Sequence, residues 1–264
     1  MTNDIAKLLK EAFFFCAFAQ PLHLCGYMQL PFFYIVDYNS SQKEIVLDED
    51  TSRHVVQVLR MKEGEKLNLT DGKGNLIIAE IMDAHKKHCS ANVNDSRFTP
   101  RSTRKITIAI SLLKNSNRFE WFLEKATEIG ILEIIPLICE RTEKQKFRYD
   151  RMKGICISAM LQSQQCWLPE LHEAVKYIEY IRSIMENTNL TKFIAHCEEA
   201  AEKQNLSTFQ RLNKSTILIG PEGDFTKQEI ELALQNNFVP VSLGETRLRT
   251  ETAGVVAAVL FCQV

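Results

Sequence analysis

The chain has 264 residues, of which 45% are hydrophobic and 25% charged, a composition typical of an ordinary globular protein. Its formal net charge of −1 excludes a uniformly basic or acidic chain, but the charge is unevenly distributed. Residues 96–153 carry 13 Lys or Arg against 7 Asp or Glu, whereas 28–95 and 154–264 are both net negative. The basic middle indicates either a local face for a polyanion or a solvated surface that is merely basic.

The eight cysteines are scattered, with no C-x-x-C pair and no zinc-finger spacing. Reduced thiols in a cytoplasmic protein are the simplest interpretation, and we expect no metal.

Residues 1–27 superficially resemble a secretion signal, because lysines precede the apolar run 12–19. That run is too short to span a bilayer, and Asp4 and Glu11 argue against secretion. We therefore expect no membrane partner and a functional chain that begins at Met28.

The next segment is predicted to be β-rich, a small barrel or curled sheet. Thr51 or Ser52 could cap a helix that reaches Leu59. The sequence Asp71-Gly-Lys-Gly74 predicts a turn between two strands. The strand candidates are 32–36, 44–47, 66–70 and 76–82.

A polar stretch from Asp95 to Lys105 contains Pro100 and predicts a linker between domains. Beyond it, strands alternate with helices, which indicates an α/β domain with a mostly parallel sheet. Two helices have capping-box spacing, at Asn117 to Glu120 and at Thr226 to Glu229, and Gly130 ends the first helix. The predicted strands are 106–110, 131–138, 193–195, 216–219 and 238–243, and the predicted helices are 117–129, 149–162, 226–236 and 251–262.

Two late segments each consist of a strand, a glycine-containing loop and the start of a helix. They are Ile217-Leu-Ile-Gly-Pro-Glu-Gly-Asp-Phe225 and Val241-Ser-Leu-Gly-Glu-Thr-Arg-Leu-Arg-Thr-Glu-Thr-Ala-Gly254. Glycine allows backbone to approach a ligand closely, so the two loops predict a small-molecule pocket. They match neither the dinucleotide fingerprint, nor a P-loop, nor a nucleophile elbow.

This pair of loops resembles the C-terminal motifs of the knotted (SPOUT) RNA methyltransferases, and most closely those of the RsmE family. Three further segments are similar to that family: 118–130 to its first helix, Cys139-Glu-Arg-Thr142 to its Ser-Glu-Arg-Ser segment, and 28–34 to its N-terminus. The resemblance covers nearly the whole chain from Met28.

The resemblance implies an α/β architecture in which a small N-terminal PUA-like β-barrel, 28–95, precedes a trefoil-knotted SPOUT domain, 96–264; residues 1–27 lie outside the pattern. It also implies an S-adenosyl-L-methionine-dependent enzyme that methylates N3 of a uridine in 16S ribosomal RNA of the 30S subunit, and a homodimer. The final helix is apolar on most sides, as a helix buried in a core or an interface should be. A metal is unnecessary because the sulfonium is already an activated methyl donor.

Apart from His196, the expected cofactor-binding residues lie in or beside the two loops, where apolar side chains form walls and backbone groups could meet the adenine. They are His196, Leu218, Ile219, Gly220, Pro221, Glu222, Gly223, Leu243, Gly244, Leu248, Thr250 and Ala253.

Arg249 and Glu222 are the catalytic candidates. Arg249 would stabilise the anion that forms when uridine N3 loses its proton. Glu222 or Glu251 would accept the proton or hold Arg249. A structural ion pair of Arg249 with either glutamate is the alternative.

The RNA-binding candidates are basic residues on the barrel and in the basic middle: Arg53, His54, Arg60, Lys62, Arg101, Arg104, Arg118 and Arg141. Arg118 either pairs with Glu140 or faces phosphate, and Glu140-Arg141 could be a plain salt bridge. The Trp121-Phe122 pair indicates apolar packing rather than base stacking.

Two positions depart from the family pattern. Gln165 stands where the family often has arginine, and Asp224 stands where it commonly has glycine. Two alternative functions remain: a methyltransferase of the same fold acting on another RNA or on a ribose 2′-hydroxyl, and an RNA-binding ribosome assembly factor without turnover.

Overall fold

The computed structural model describes residues 30–198, 203–209 and 212–262. The expectation for the first 27 residues lies outside this range. The described chain separates into two compact units. The N-terminal unit runs through Asp71 and resumes over Asn75–Thr99; the C-terminal unit contains Gly72–Gly74 and Pro100–Cys262.

The N-terminal unit is a five-stranded sheet around its own core. Strand β1 lies parallel to β3, and the remaining neighbours in the order β1-β3-β4-β5-β2 are antiparallel. Fully buried side chains such as Leu67, Leu69 and Ile77 fill its interior. The strands are β1 Phe32–Tyr34, β2 Glu44–Val46, β3 Lys66–Thr70, β4 Asn75–Asp83 and β5 Ser90–Phe98.

The helix of this unit differs from the prediction. Helix α1 covers only Glu49–Arg53, and a π-helical turn, His54–Val58, continues it. Asp48 caps α1, not Thr51 or Ser52, because its side chain accepts the Thr51 N–H. The Ser52 hydroxyl is buried and donates to the Leu47 carbonyl instead. The predicted linker is also shorter at its start, because β5 pairs with β4 as far as Phe98.

The C-terminal unit contains the α/β architecture that the alternating pattern predicts. All the strand pairs described in its sheet are parallel, and the order is β11-β13-β10-β12-β6-β7-β8, with β9 also beside β7. The strands are β6 Lys105–Ser111, β7 Glu133–Ile138, β8 Glu170–Leu171, β9 Val175–Lys176, β10 Thr191–Ala195, β11 Gln204–Asn205, β12 Lys214–Ile219 and β13 Phe238–Ser242.

Its helices cover both faces of the sheet. Ile108 and Ile110 of β6 join one buried cluster with residues of α2, α3 and α6, whereas Ala109 joins a second cluster with α4 and α5. This division follows from the alternation of side chains along a strand. The helices are α2 Ser116–Ile129, α3 Tyr149–Gln162, α4 Tyr177–Ile184, α5 Lys227–Gln235 and α6 Thr250–Cys262.

The first predicted capping box is wrong. Asn115 caps α2, and the Glu120 carboxylate binds the guanidinium of Arg151 at 2.7 and 2.8 Å. The predicted C-terminal glycine is confirmed, since Gly130 has a φ of 96°. Gln165 also serves this helix end, because its amide nitrogen donates to two carbonyls of the last turn, at 2.9 and 3.0 Å.

The second capping box, at Thr226 and Glu229, is confirmed. Helix α6 packs closely on α2, and a Cβ added at Gly254 would lie 2.5 Å from the Phe122 ring. Phe122 is fully buried as predicted, whereas Trp121 is 43% exposed, so the packing interpretation holds for only one of the two. None of the helices in the described residues is long and apolar enough to cross a bilayer.

Candidate functional site

A cavity of about 510 Å³ opens at the carboxyl edge of the parallel sheet. Three neighbouring strands, in the order β13-β10-β12, end there, and the two glycine-containing loops leave from the outer two. This is the edge at which open α/β sheets bind ligands, and the volume suits a small molecule. The cavity thus lies where the loop pattern predicts a pocket.

Most of the expected cofactor residues line this cavity: His196, Ile219, Gly220, Pro221, Glu222, Leu243, Gly244, Leu248, Thr250 and Ala253. Two do not. The Leu218 side chain is fully buried in the cluster with α4 and α5, on the opposite face of β12 from Ile219. Gly223 is exposed beside Arg141.

Several lining residues were missed from the sequence: Ala195, Cys197, Lys203, Asp224, Val241, Ser242, Glu245, Thr246 and Arg247. Many of them adjoin the expected ones. Ala195 and Cys197 flank the expected His196, but the place of this strand end between the two loops depends on strand order, which the sequence did not reveal.

The first loop, Gly220–Phe225, is tightly held. A Cβ at Gly220 would lie 3.1 Å from the Phe225 ring and 3.2 Å from its backbone nitrogen, so only glycine fits without a shift. Arg141 Nη1 donates to the carbonyl of Gly223 at 2.7 Å and to that of Phe225 at 3.4 Å. Arg141 was expected to bind RNA, but the structure places its guanidinium on this loop.

The turn that carries Arg141 is itself anchored. The Cys139 N–H donates to Thr142 Oγ1 at 2.8 Å, and the Glu140 N–H donates to Glu229 Oε1 at 2.9 Å. Burial raises the pKa of the Cys139 thiol to about 12, so this cysteine is a packing group and not a nucleophile at neutral pH.

Asp224 connects the first loop to the end of β10. Its Oδ2 accepts the Cys197 N–H at 2.7 Å, and its Oδ1 accepts the Phe225 N–H at 2.8 Å. The residue has a φ of 63°, the left-handed region that favours glycine. The two hydrogen bonds give a physical reason for an aspartate where the family commonly has glycine.

Glu222 is exposed on the cavity, and its Oε1 accepts the Lys114 N–H at 3.1 Å. Glu251, the other candidate proton acceptor, is buried and does not line the cavity. Its Oε1 lies 3.7 Å from Arg118 Nε. Arg118 therefore pairs with Glu251, not Glu140.

The second loop, Leu243–Arg249, is mostly exposed. Ser242 Oγ donates to the Gly244 carbonyl at 2.7 Å, and Gly244 has a φ of 146° with open space where a side chain would stand. Arg247 and Arg249 are exposed on the cavity. Within the described chain, the Arg249 guanidinium has no ion pair with Glu222 or Glu251. The alternative of a structural ion pair with either glutamate is therefore not observed there.

His196 follows β10 directly and is 7% exposed. Neither ring nitrogen has a hydrogen-bond partner in the part of the chain that the structure describes. Burial, followed by the Lys203 charge, lowers the pKa of His196, against the opposing influence of Asp224 and Glu198. His196 therefore faces the cavity as a neutral imidazole at neutral pH.

The RNA-binding candidates of the N-terminal unit are all exposed. Arg53 pairs with Glu49 at 2.9 Å, and the His54 ring stands edge-on to Phe33 with centroids 5.8 Å apart. Arg60 has a φ of 56°, and the Lys62 backbone N–H donates to Glu65.

Two candidates of the basic middle are engaged by the fold. Arg101 Nη2 donates to the Leu132 carbonyl at 3.1 Å, and its guanidinium lies 5.2 Å from the Trp167 ring centroid. Arg104 is half-buried. By contrast, Lys144 and Lys146 are exposed and have no ion pair within the described residues.

The opposite, amino edge of the sheet has a polar cluster in which Glu133, Glu170 and His172 offer ligand atoms within 4.8 Å of one another. Lys105 Nζ already lies 3.3 Å from Glu133 Oε1. Burial by itself would raise the pKa of Glu133, but hydrogen bonds from Thr107, Lys105 and His172 hold it below its ordinary value. The cluster is thus balanced by a lysine and lies away from the cavity.

Fold and cavity together define an α/β protein that binds a small molecule at loops following the parallel strands β12 and β13, with the end of β10 between them. The chain matches the family of the RNA methyltransferase domain over residues 100–261, and that of the RNA methyltransferase PUA domain over 47–94. It therefore belongs to the RNA methyltransferase family, as the resemblance implied. The matches confirm the α/β domain and the PUA-like domain, and the trefoil knot stays a prediction.

Individual relatives agree with this. A "Ribosomal RNA small subunit methyltransferase E" of Rickettsia conorii is 31% identical over 228 residues, which are 85% of this chain and 91% of the relative. A probable rRNA-methyltransferase of Porphyromonas gingivalis has 40% identity and a TM-score of 0.78, over 87% of this chain and 95% of that one. A ribosomal RNA small subunit methyltransferase E of Neisseria gonorrhoeae, bound to S-adenosyl methionine, has 29% identity, the same TM-score and the same coverage.

Proposed function

We propose that the protein is an S-adenosylmethionine-dependent methyltransferase that methylates N3 of a uridine in 16S ribosomal RNA of the small subunit, in the cytoplasm. The family and the shared names of its relatives support the class of reaction and of RNA. The observation that carries the proposal is the cavity enclosed by the two loops and the end of β10.

The residues present fit the cofactor. Apolar side chains of Ile219, Leu243 and Leu248 and the backbone of two glycine-containing loops suit an adenosyl group. His196 adds a buried polar side chain whose ring nitrogens have no hydrogen-bond partner among the described residues. The Neisseria gonorrhoeae relative, bound to S-adenosyl methionine, supports the same ligand here. When bound, the cofactor supplies an electrophilic methyl group on a positively charged sulfur.

The tasks left to the protein are positioning and proton handling. Uridine N3 is a poor nucleophile until its proton leaves, and its loss puts negative charge on the base. Arg249 is free to meet that charge, because it is exposed on the cavity and unpaired within the described chain. Glu222 is the better placed proton acceptor, since it lines the cavity and Glu251 does not.

The RNA face is inferred from exposed cations. We assign phosphate contacts first to Lys144 and Lys146, which follow the turn that holds the first loop. Arg101, Arg104 and Arg118 also take part in the fold, so they are weaker candidates. The proposal requires RNA affinity to fall steeply with salt, with a slope that decreases in Lys144→Glu and Lys146→Glu.

A homodimer is proposed from helix α6, in which Val255, Val256, Val259 and Leu260 stay partly exposed along an otherwise buried apolar helix. Light scattering at micromolar concentration checks it, and a monomer would refute it.

Methyl transfer is tested with labelled S-adenosylmethionine and small ribosomal subunits or free 16S RNA from a strain that lacks the protein. We expect label in the RNA and 3-methyluridine by nucleoside mass spectrometry. A 2′-O-methylated product, or transfer to another RNA, would establish the first alternative. RNA binding without transfer would indicate the assembly factor.

A further inference from the structure

His196 is a buried polar side chain of the cavity that has no hydrogen-bond partner among the described residues. Its ring is more than nine-tenths buried, it lines the cavity, and both nitrogens lack hydrogen-bond partners among the described residues. A buried polar atom without a partner destabilises the folded protein. An imidazole retained at such a cost is expected to act on what enters the cavity.

The position of His196 is fixed from two sides. Strand β10 is held between β12 and β13, with Ala195 in register with Ile219 and Val241. The next peptide is tied to the first loop by the bond from the Cys197 N–H to Asp224. The backbone on both sides of His196 is therefore held by hydrogen bonds, which fix the position of the ring between the two loops.

The charges around His196 come from three segments. Glu198 comes two residues after His196, beyond the end of β10, Lys203 lies further along the chain, and Asp224 belongs to the first loop. On the second loop, Glu245, Arg247 and Arg249 also line the cavity. Burial and Lys203 disfavour the imidazolium, so the group is available as one N–H donor and one nitrogen acceptor.

We propose that His196 is a specificity-determining residue whose neutral imidazole hydrogen-bonds a polar group of the bound adenosyl cofactor. This inference rests on the proposed function, because it names S-adenosylmethionine as the occupant. It goes beyond cavity lining, since it makes the imidazole a required partner of the ligand and makes cofactor affinity depend on its protonation state.

The first test separates binding from structure. His196→Phe keeps a flat ring and removes both nitrogens. We expect its dissociation constant for S-adenosylmethionine, measured by calorimetry, to rise roughly 5- to 100-fold. The melting temperature of the ligand-free variant should be unchanged or higher, because two unsatisfied atoms are gone. His196→Asn or His196→Gln should recover part of the affinity, according to which nitrogen makes the bond.

The second test uses pH. Because the cofactor binds the neutral ring, wild-type affinity should be constant at neutral pH and fall as the pH drops below the ordinary histidine value of about 6.5. His196→Asn should abolish that dependence. His85→Asn, at an exposed position in the N-terminal unit, is the control and should behave as wild type.

Equal affinity of His196→Phe and wild type for S-adenosylmethionine would overturn the inference, as would a parallel loss of melting temperature and affinity in all three variants. Both leave the proposed function standing, because wild type still binds the cofactor. Failure of wild type to bind S-adenosylmethionine would refute the proposed function itself.

Discussion

The two glycine-containing loops look alike in sequence but differ in how the protein holds them. The first receives hydrogen bonds from Arg141 and is tied through Asp224 to the end of β10 and through Glu222 to Lys114. Among the described residues, the side-chain hydrogen bonds of the second loop run only between Ser242 and Gly244, and most of the loop's residues are exposed.

This difference indicates that the two loops have different tasks, the first in cofactor binding and the second in contact with the substrate. A loop fixed by neighbouring strand ends presents a preorganised surface, which suits a cofactor that every turnover must place in the same way. A loop whose arginines are exposed and unpaired in the described chain suits contact with a large substrate that arrives from solvent. The first loop should therefore govern cofactor affinity, and the second should govern turnover.

The largest effect is expected at Arg249. Arg249→Ala removes a cation that meets developing negative charge, and such groups contribute about 10²- to 10³-fold to turnover. Single-turnover rates with saturating cofactor should fall by that factor, whereas cofactor affinity measured by calorimetry should change little. The rate optimum should move to higher pH, where uridine N3 ionises without help.

Arg247→Ala is the matched control, because Arg247 shares the loop, the exposure and the cavity. A smaller loss in Arg247→Ala supports the choice of Arg249. Wild-type rates and pH profile in Arg249→Ala would show that the catalytic role is wrongly assigned.

Sequence reasoning succeeded where local pattern determines structure. The strand–loop–helix repeats, the capping box at Thr226 and the C-terminal glycine of α2 were predicted because each depends on neighbours in the chain. Prediction from the sequence failed where tertiary contacts determine the partner of a side chain. Glu120 has capping-box spacing, but it binds Arg151 of another helix.

The same limit applies to the site. The loop residues were identified from glycines and strands, but the pairing of Arg118 with Glu251 and the bonding of Arg141 to the first loop join distant segments. Charge alone had suggested RNA contacts for both arginines. No pattern in one sequence shows which buried face of β12 a side chain such as Leu218 occupies.

The second largest effect is expected at Gly220. In Gly220→Val, a side chain must displace the Phe225 ring and backbone, which lie 3.1–3.2 Å from the added Cβ. In the ligand-free variant the loop can relieve this overpacking by shifting, and restoring its cofactor-binding position then costs about 1–3 kcal/mol. Cofactor affinity should therefore fall about 5- to 150-fold, as measured by calorimetry.

Gly223→Ala provides the comparison within the same loop, because its Cβ would meet only the Arg141 side chain at 3.4 Å. Its affinity should stay within about threefold of wild type. Equal losses of cofactor affinity in the two variants would mean that the loop tolerates no substitution. The distinction between Gly220, which lines the cavity, and Gly223, which does not, would then be wrong.

The smallest effect is expected at Arg141, where two assignments give opposite results. If its guanidinium serves the first loop, Arg141→Met loses the bond to the Gly223 carbonyl, and an exposed hydrogen bond of this kind is worth about 1 kcal/mol. Cofactor affinity should then fall about fivefold, with partial recovery in Arg141→Lys. If Arg141 instead contacts phosphate, cofactor affinity should be unchanged. The slope of the logarithm of RNA affinity against the logarithm of salt concentration should then decrease by about one. Because the guanidinium already donates to two loop carbonyls, we expect the first result, and calorimetry beside an RNA salt titration on the same variant decides between them.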